Sequence, residues 1–213
     1  MNDFKNTELE IIERYNKRFE QHGESPLSLN WQDKKTQYSR FKNFLELVEI
    51  RNKDILDIGC GFGDFYEYLK ESNIQPRNYT GIDINPTFIE CCKKKYPSKN
   101  FHVNNIIDDE LPDGNFDIIF MIGIFSYNFK EYDNVNFIKQ VVTKAFNKAK
   151  HTLIFDMQSI RINEDYETAN HIHYQKPSDI LDFAISLTPH VVLRHDYLPN
   201  PAREFIVLMK HMA

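Results

Sequence analysis

The chain has 213 residues, of which 41% are hydrophobic and 27% are charged, with a net charge of -5 and a pI near 5.9. This length suits one globular domain with a small cap, and the composition is ordinary for a folded protein. The acidic balance argues against a nucleic-acid backbone as the main partner, and no apolar run is long enough to span a membrane. The N-terminus is polar, and three cysteines make no disulfide framework. We therefore expect a cytoplasmic protein.

Apolar residues at helical spacing predict an amphipathic helix over residues 4–22. The residues expected on its buried face are Leu9, Ile12, Tyr15 and Phe19. We expect this helix to pack across the main domain and to help cover the active site.

A loop with the only tryptophan, Trp31, leads to a second helix, predicted over residues 33–49. These two helices precede the first strand of the regular α/β pattern. The sequence therefore predicts a helical cap, residues 1–50, packed on a main domain, residues 51–213.

The most informative stretch is D-I-L-D-I-G-C-G-F-G-D-F, residues 54–65. Its apolar run, residues 55–58, is too short for a helix and predicts a buried strand. Three glycines follow at alternate positions, and a helix is expected over residues 64–70. Glycine has no Cβ, so a ligand can lie against bare backbone there, where the helix directs its free N–H groups. Strand, glycine turn and helix is the layout of a nucleotide-binding α/β fold.

Asp57 stands before the first glycine, and the spacing is G-x-G-x-G, unlike the G-x-G-x-x-G of dinucleotide-binding oxidoreductases. Residues 56–63, L-D-I-G-C-G-F-G, resemble the first motif of the class I S-adenosylmethionine-dependent methyltransferases at every position. The resemblance covers about residues 53–211. It implies a seven-stranded, mostly parallel sheet with helices on both faces and an antiparallel C-terminal strand. It also implies S-adenosylmethionine as the cofactor.

After the glycine turn the pattern alternates between strand and helix, as in a parallel sheet with helices on both faces. Further strands are predicted over residues 79–84, 100–103, 116–122, 151–157, 191–197 and 204–209. Further helices are predicted over residues 86–96, 132–148 and 177–186. The last two strands are joined by a turn at residues 199–202 and should form a hairpin. The resemblance places the final strand antiparallel beside the fifth.

The resemblance also implies which residues contact the cofactor. In and around the glycine turn these are Asp57, Gly59, Cys60, Gly61 and Gly63. On later strands they are Asp83, Ile84, Asn105, Ile106 and Ile122. Asp83 is expected to accept hydrogen bonds from both ribose hydroxyls, and Ile84 to pack on the adenine. Asn105 stands where related proteins have an acid, and its amide oxygen can accept the same hydrogen bond from the adenine amino group.

Two residues ahead of the first strand are further candidates, because this region often closes over the methionine end of the cofactor in the family. Arg40, on the same side of its helix as Gln37, can meet the methionine carboxylate in a bidentate pair. The alternative for Arg40 is a surface arginine. Trp31 is a candidate for cofactor contact, and the alternative is a core or lid aromatic residue.

Four residues are candidate general bases. They are Tyr127, Asp156, His171 and His173. A base is needed only if the methyl acceptor must lose a proton. His171 and His173 also suggest a metal site, but no third ligand is near them in the sequence, so none is expected. The polar segment at residues 158–176 is expected to recognise the substrate, since loops on a rigid scaffold commonly carry specificity.

The expected reaction is in-line methyl transfer, in which the protein mainly holds donor and acceptor together and excludes water. The acidic balance and the short chain favour a small-molecule acceptor, methylated on oxygen or nitrogen. Two alternatives stay open. One is an RNA- or protein-directed methyltransferase, and the other is a non-catalytic subunit that binds S-adenosylmethionine for a partner.

Overall fold

The computed structural model describes residues 4–161, 167–196 and 203–212. Within these ranges eight strands form one sheet: β1 Asp54–Ile58, β2 Asn78–Asp83, β3 Asn100–Val103, β4 Phe116–Met121, β5 Ala149–Ser159, β6 Tyr174–Gln175, β7 Val191–Arg194 and β8 Glu204–Lys210. Seven of them follow the order β3-β2-β1-β4-β5-β8-β7, and the two-residue β6 pairs with β5 outside this path.

The sheet is parallel up to β5 and antiparallel beyond it. β1 pairs in parallel with β2 and β4, and β4 pairs in parallel with β5. β8 lies antiparallel between β5 and β7, with Asp156 opposite Ile206 and Gln158 opposite Glu204. The predicted mixed sheet, with its last strand antiparallel beside the fifth, is confirmed. The loop expected over residues 158–176 has strand structure near both ends instead, because β5 continues to Ser159 and β6 pairs with it.

Six α-helices accompany the described strands: α1 Phe4–His22, α2 Lys34–Leu45, α3 Asp64–Glu71, α4 Pro86–Lys95, α5 Asn134–Lys148 and α6 Pro177–Leu187. A short 3-10 helix, Pro26–Leu29, lies between α1 and α2.

Local side-chain bonds set several helix starts. The Asp33 side chain accepts a hydrogen bond from Thr36 N at 2.7 Å and caps α2. The Asn85 side chain caps α4 ahead of Pro86, whose missing N–H is not needed at a first helical position. The predicted extension of α2 to residue 49 is wrong, since Leu47 N bonds to Phe44 O in a tighter turn that ends the helix.

The two faces of the sheet carry separate hydrophobic cores, as alternation along β4 shows. Ile118 and Phe120 pack with the aromatic residues of α2 and α3, and the Phe65 and Phe120 rings are 4.9 Å apart. Ile119 and Met121 point to the other face, in the core that contains the buried residues of α5 and α6. Helices therefore cover both faces, as predicted.

α1 has a different buried face from the predicted one. Leu9 is 59% exposed, whereas Phe4 is 2% exposed and stacks against Phe137. Tyr15 and Phe19 do face inward, where both rings contact Phe88. Leu9 and Ile12 line a shallow groove on the outer side instead. Periodicity predicted the helix, but contacts with α4 and α5 fixed its rotation.

No described helix combines the length and the apolar character that a membrane crossing needs. The predicted hairpin turn at residues 199–202 and the middle of the predicted recognition segment, residues 162–166, lie outside the described residues.

Candidate functional site

A cavity of about 310 Å³ lies at the carboxyl edge of the parallel strands. Its volume is at the lower end of the roughly 300–1,000 Å³ typical of small-molecule sites. The predicted cofactor residues that line it are Trp31, Arg40, Asp57, Gly59, Cys60, Gly61, Asp83, Ile84, Asn105, Ile106 and Ile122. Gly63 is the N-cap of α3, directly behind this surface. Residues far apart in the sequence therefore meet where ligands bind in open α/β sheets.

The glycine turn needs glycine for two separate reasons. Gly59, Gly61 and Gly63 have φ values of 77°, 54° and 75°, a region that costs other residues strain. A Cβ on Gly59 would lie 2.2 Å from Ile124 Cγ2, and one on Gly61 would lie 2.8 Å from Leu29 Cδ1. The turn is thus both left-handed in backbone conformation and closely packed.

Asp83 joins the glycine turn to the end of β2. Its Oδ2 accepts a hydrogen bond from Gly61 N at 2.9 Å, and its Oδ1 accepts one from Asn85 N at 2.9 Å. Burial raises the pKa of this carboxyl, while the backbone hydrogen bonds oppose that shift. Each carboxylate oxygen has a second lone pair, so Asp83 can still accept hydrogen bonds from two ligand hydroxyls.

Asp57 is 2% exposed and accepts a short hydrogen bond from the Tyr79 hydroxyl. Burial raises the pKa of Asp57 to about 7, and the Tyr79 hydrogen bond opposes this shift. This carboxyl is therefore poised between its neutral and charged forms near neutral pH.

Asn105 lies at the cavity with its side chain already bonded. Its Oδ1 accepts a hydrogen bond from Ile107 N at 2.9 Å, and its Nδ2 donates to Glu8 and Asp108. The neighbouring Asn104 also lines the cavity, and its Oδ1 is buried without a hydrogen-bond partner among the described residues. The side-chain oxygen of Asn104 is thus without a hydrogen bond from the described residues, whereas that of Asn105 is already bonded.

Arg40 lies at the back of the cavity and is 8% exposed. Its Nη1 is 3.0 Å from Asp156 Oδ2, and its Nη2 donates to Glu204 Oε1. Its guanidinium carbon lies 4.2 Å from the centre of the Trp31 ring, a cation–π contact. The arginine predicted to meet the cofactor carboxylate is therefore buried and paired with two carboxylates of the protein.

Of the four candidate bases, Tyr127 is the one that lines the cavity. Its hydroxyl donates to Glu10 Oε1 at 2.7 Å, and burial raises the pKa of Tyr127 to about 12. Asp156 lies below the cavity, where it accepts a hydrogen bond from Gly123 N at 2.6 Å. Burial raises the pKa of Asp156 to about 6, although Arg40 opposes this shift.

The two histidines flank the cavity wall without forming it. Ile172, between them, lines the cavity and bridges to Tyr127, whereas His171 is exposed. His173 is half-buried, and its ring contacts the Gln175 amide. Burial lowers the pKa of both histidines. Across the described ranges, no three side chains of His, Cys, Asp or Glu are grouped to hold a metal ion.

Two glutamines at the cavity were not predicted as site residues. Gln37 is 1% exposed, and its Nε2 donates to Asp64 Oδ2 at 3.1 Å. Gln158 is 8% exposed, and its Nε2 donates to Glu204 Oε1 at 3.1 Å. In each case Oε1 is buried without a partner among the described residues. The spacing of Gln37 and Arg40 on one helix side was a signal for the first, but no local pattern links residues 158 and 204.

Comparison with known families agrees with this geometry. Residues 55–145 match the model of a family described as a methyltransferase domain. That range starts in β1 and includes the glycine turn, Asp83 and most of α5.

Sequence relatives carry methyltransferase names. A fatty-acid O-methyltransferase of Mycolicibacterium smegmatis is 31% identical over 74 residues, which is 34% of this chain and 27% of that protein. A phthiotriol/phenolphthiotriol dimycocerosates methyltransferase of Mycobacterium leprae is 32% identical over 77 residues, 35% of this chain and 28% of that protein. The aligned stretches thus span less than a third of these relatives.

Solved structures share the fold over most of the chain. The magnesium protoporphyrin IX methyltransferase of Synechocystis PCC 6803, solved with bound S-adenosylmethionine, matches with a TM-score of 0.60 and 13% identity. The match covers 84% of this chain and 79% of that one. An S-adenosylmethionine-dependent methyltransferase of Clostridium acetobutylicum matches with a TM-score of 0.60 and 16% identity, over 92% and 98% of the two chains. Residues 55–145 are therefore similar to the methyltransferase-domain family, and the chain has the fold of the class I S-adenosylmethionine-dependent methyltransferases.

Proposed function

We propose that the protein is an enzyme that binds S-adenosylmethionine in this cavity and transfers its methyl group to oxygen or nitrogen of a small molecule. The observation that carries the proposal is the position of Asp83. Its carboxylate is fixed by Gly61 N and Asn85 N beside the glycine turn, at the wall of the cavity. A ribose with two free hydroxyls, lying against bare backbone, fits such an acceptor.

The residues of the cavity suit positioning better than proton transfer. S-adenosylmethionine supplies a methyl group that its positively charged sulfur already activates. The protein has to orient donor and acceptor and to exclude water. Apolar side chains from α1 and from the loop after β4 exclude water, and those that line the cavity include Phe4, Ile11, Tyr127 and Phe129.

The small-molecule acceptor is supported by this enclosure and by one sequence relative. α1 lies across the cavity, where it presents Ile11 and Tyr15. The mycobacterial relative named as a fatty-acid O-methyltransferase has a small-molecule acceptor that is methylated on oxygen. In this proposal residues 1–50 act as the cap that encloses the acceptor and reaches the amino-acid end of the cofactor, and residues 51–213 form the rest of the cofactor site.

Isothermal titration with S-adenosylmethionine and S-adenosylhomocysteine tests the cofactor, with NAD as the control ligand. We expect micromolar binding of the first two, and we expect Asp83→Asn to weaken it at least tenfold. Asp182→Asn makes the same chemical change at an exposed position and should leave binding unchanged. If the wild type binds neither sulfur compound, the proposal is wrong.

The acceptor class is tested with S-adenosylmethionine labelled in its methyl group. Incubation with small-molecule extracts, unfractionated RNA and a protein lysate separates the three classes of acceptor. We expect label in oxygen- or nitrogen-linked methyl groups of small molecules. Label in RNA or protein alone would support an RNA- or protein-directed methyltransferase. Cofactor binding without any turnover would support a non-catalytic subunit.

A further inference from the structure

The end of the cavity next to the glycine turn contains a buried carbonyl oxygen that receives no hydrogen bond from any described residue. Gln37 is 1% exposed and lines the cavity from α2. Its Oε1 is buried and has no hydrogen-bond partner in the part of the chain that the structure describes. A buried amide oxygen in such a position calls for a donor from a ligand.

The orientation of this amide is fixed by Asp64. A carboxylate only accepts hydrogen bonds, so the Gln37 nitrogen has to face Asp64 Oδ2, at 3.1 Å. The opposite rotamer would place two acceptor oxygens in contact. The carbonyl oxygen of Gln37 is thus held away from Asp64, in a side chain that lines the cavity.

Asp64 adds negative charge to the same place. It follows Gly63 directly, lines the cavity, and forms no salt bridge within the described ranges. Among nearby cations, Lys95 is bonded to Glu24 at 3.0 Å and to Glu67 at 3.3 Å. Lys34 lies 3.7 Å from Glu67 and 3.4 Å from Glu71. The acids around this end therefore outnumber the bases, four to two. Burial raises the pKa of Asp64, while the hydrogen bond from Gln37 and the charge of Lys95 oppose this shift and favour its charged form.

We infer that Gln37 Oε1 and the Asp64 carboxylate form the subsite for the α-ammonium group of the cofactor's methionine. This inference rests on the proposed function. A primary ammonium has three donors and one positive charge, which match an unpartnered carbonyl oxygen beside an unpaired carboxylate. Asp83 is bonded to Gly61 N, in the middle of the glycine turn, whereas Asp64 follows its last glycine, so the adenosyl group and the amino-acid end have separate carboxylates.

The hydrogen-bond partners of Gln37 and Arg40 give these two residues of α2 different roles. Arg40, one turn further along α2, is paired with Asp156 and Glu204. It therefore stabilises the wall behind the cavity. Gln37 has hydrogen-bonding capacity left for the ligand, so we assign the cofactor contact on α2 to Gln37.

Three ligands test this assignment by isothermal titration of the full chain. They are S-adenosylhomocysteine, its analogue with hydrogen in place of the α-amino group, and 5′-methylthioadenosine, which lacks the whole amino-acid end. We expect the wild type to prefer S-adenosylhomocysteine to the deaminated analogue by about tenfold or more. In Gln37→Leu and in Asp64→Asn this preference should fall to within about threefold.

Two control variants make the same change as Gln37→Leu elsewhere. Gln140→Leu is on the exposed side of α5 and should keep the full preference. Gln158→Leu replaces the other buried glutamine at the cavity. If Gln158→Leu removes the preference and Gln37→Leu keeps it, the ammonium lies beside Glu204 and the inference is wrong.

Binding of 5′-methylthioadenosine serves as the check on folding, because it does not involve the amino-acid end. It should be unchanged in every variant. Failure of the wild type to bind any of the three ligands would overturn the proposed function itself. Wild-type binding without a preference for the amino group, or an unchanged preference in Gln37→Leu and Asp64→Asn, would overturn this inference alone.

Discussion

Arg40 and Asp156 form a buried ion pair, with Nη1 and Oδ2 3.0 Å apart, that ties α2 to the carboxyl end of β5. Both side chains are almost fully shielded, with 9% and 2% of their surfaces exposed. Glu204 of β8 completes the cluster from the next strand. Because Gly123 N also donates to Asp156, this cluster supports the end of β4 where the cavity begins.

Arg40→Met should destabilise the protein by about 3–5 kcal/mol, since it leaves two carboxylates close together without their buried partner. Urea denaturation of the wild type and the variant measures the loss. In the triple variant Arg40→Met, Asp156→Asn, Glu204→Gln the loss should be smaller, because no uncompensated charge stays buried. A loss below about 1 kcal/mol for Arg40→Met would show that the pair is not essential to the fold.

Gly59→Ala should destabilise the protein by about 2–4 kcal/mol. The new methyl group would clash with Ile124 Cγ2, and the φ of 77° adds strain for alanine. Ile124→Ala removes the atom in question, so it should partly rescue Gly59→Ala. A double-mutant cycle should therefore give a coupling of at least about 1 kcal/mol. Additive losses would show that the clash is relieved in another way.

The stability of the wild type relative to Asp57→Asn should fall as pH rises from 5 to 8. The folded pKa of Asp57 is raised to about 7, so unfolding releases a proton in this window and the charged form favours the unfolded chain. The change should be about 3 kcal/mol between these pH values. Urea denaturation at four pH values measures it.

Asp54→Asn is the matched control for this pH series. Arg77 lowers the pKa of Asp54, so its contribution is lost only at pH values below the window. The difference between wild type and Asp54→Asn should therefore stay constant from pH 5 to 8. A constant difference for Asp57→Asn as well would contradict the raised pKa of Asp57.

Tyr127→Phe should loosen α1 from the cavity, because the hydroxyl of Tyr127 donates to Glu10 at 2.7 Å. We expect faster hydrogen exchange of the α1 amides and a loss of about 1 kcal/mol in local stability. Tyr68→Phe, on α3, makes the same change away from α1 and should leave this exchange unaffected. If Tyr127→Phe also has no effect, the aromatic contacts of Phe4 are enough to hold α1.

The local parts of the fold could be predicted because local chemistry dictates them. Asn85 followed by Pro86 is a helix start by itself, and the structure has α4 begin there. Helical periodicity also predicted α1. Its rotation depends on contacts with other elements, which periodicity does not show, so Leu9 was predicted to face inward although it is exposed. The end of α2 was missed for a related reason, since helix propensity alone did not indicate the tight turn at Leu47.

By itself, the sequence determined the glycine turn and the acidic residues on either side of it. Three left-handed backbone positions in five residues require glycine, and Asp57 and Asp83 follow from strand ends that the apolar pattern defines. Only the tertiary structure decided which polar groups meet across the cavity. Gln37 bonds to Asp64, and Arg40 pairs with Asp156 and Glu204, because helices and strands distant in sequence pack side by side. Such pairings depend on the packed position of whole elements, which no local residue pattern specifies.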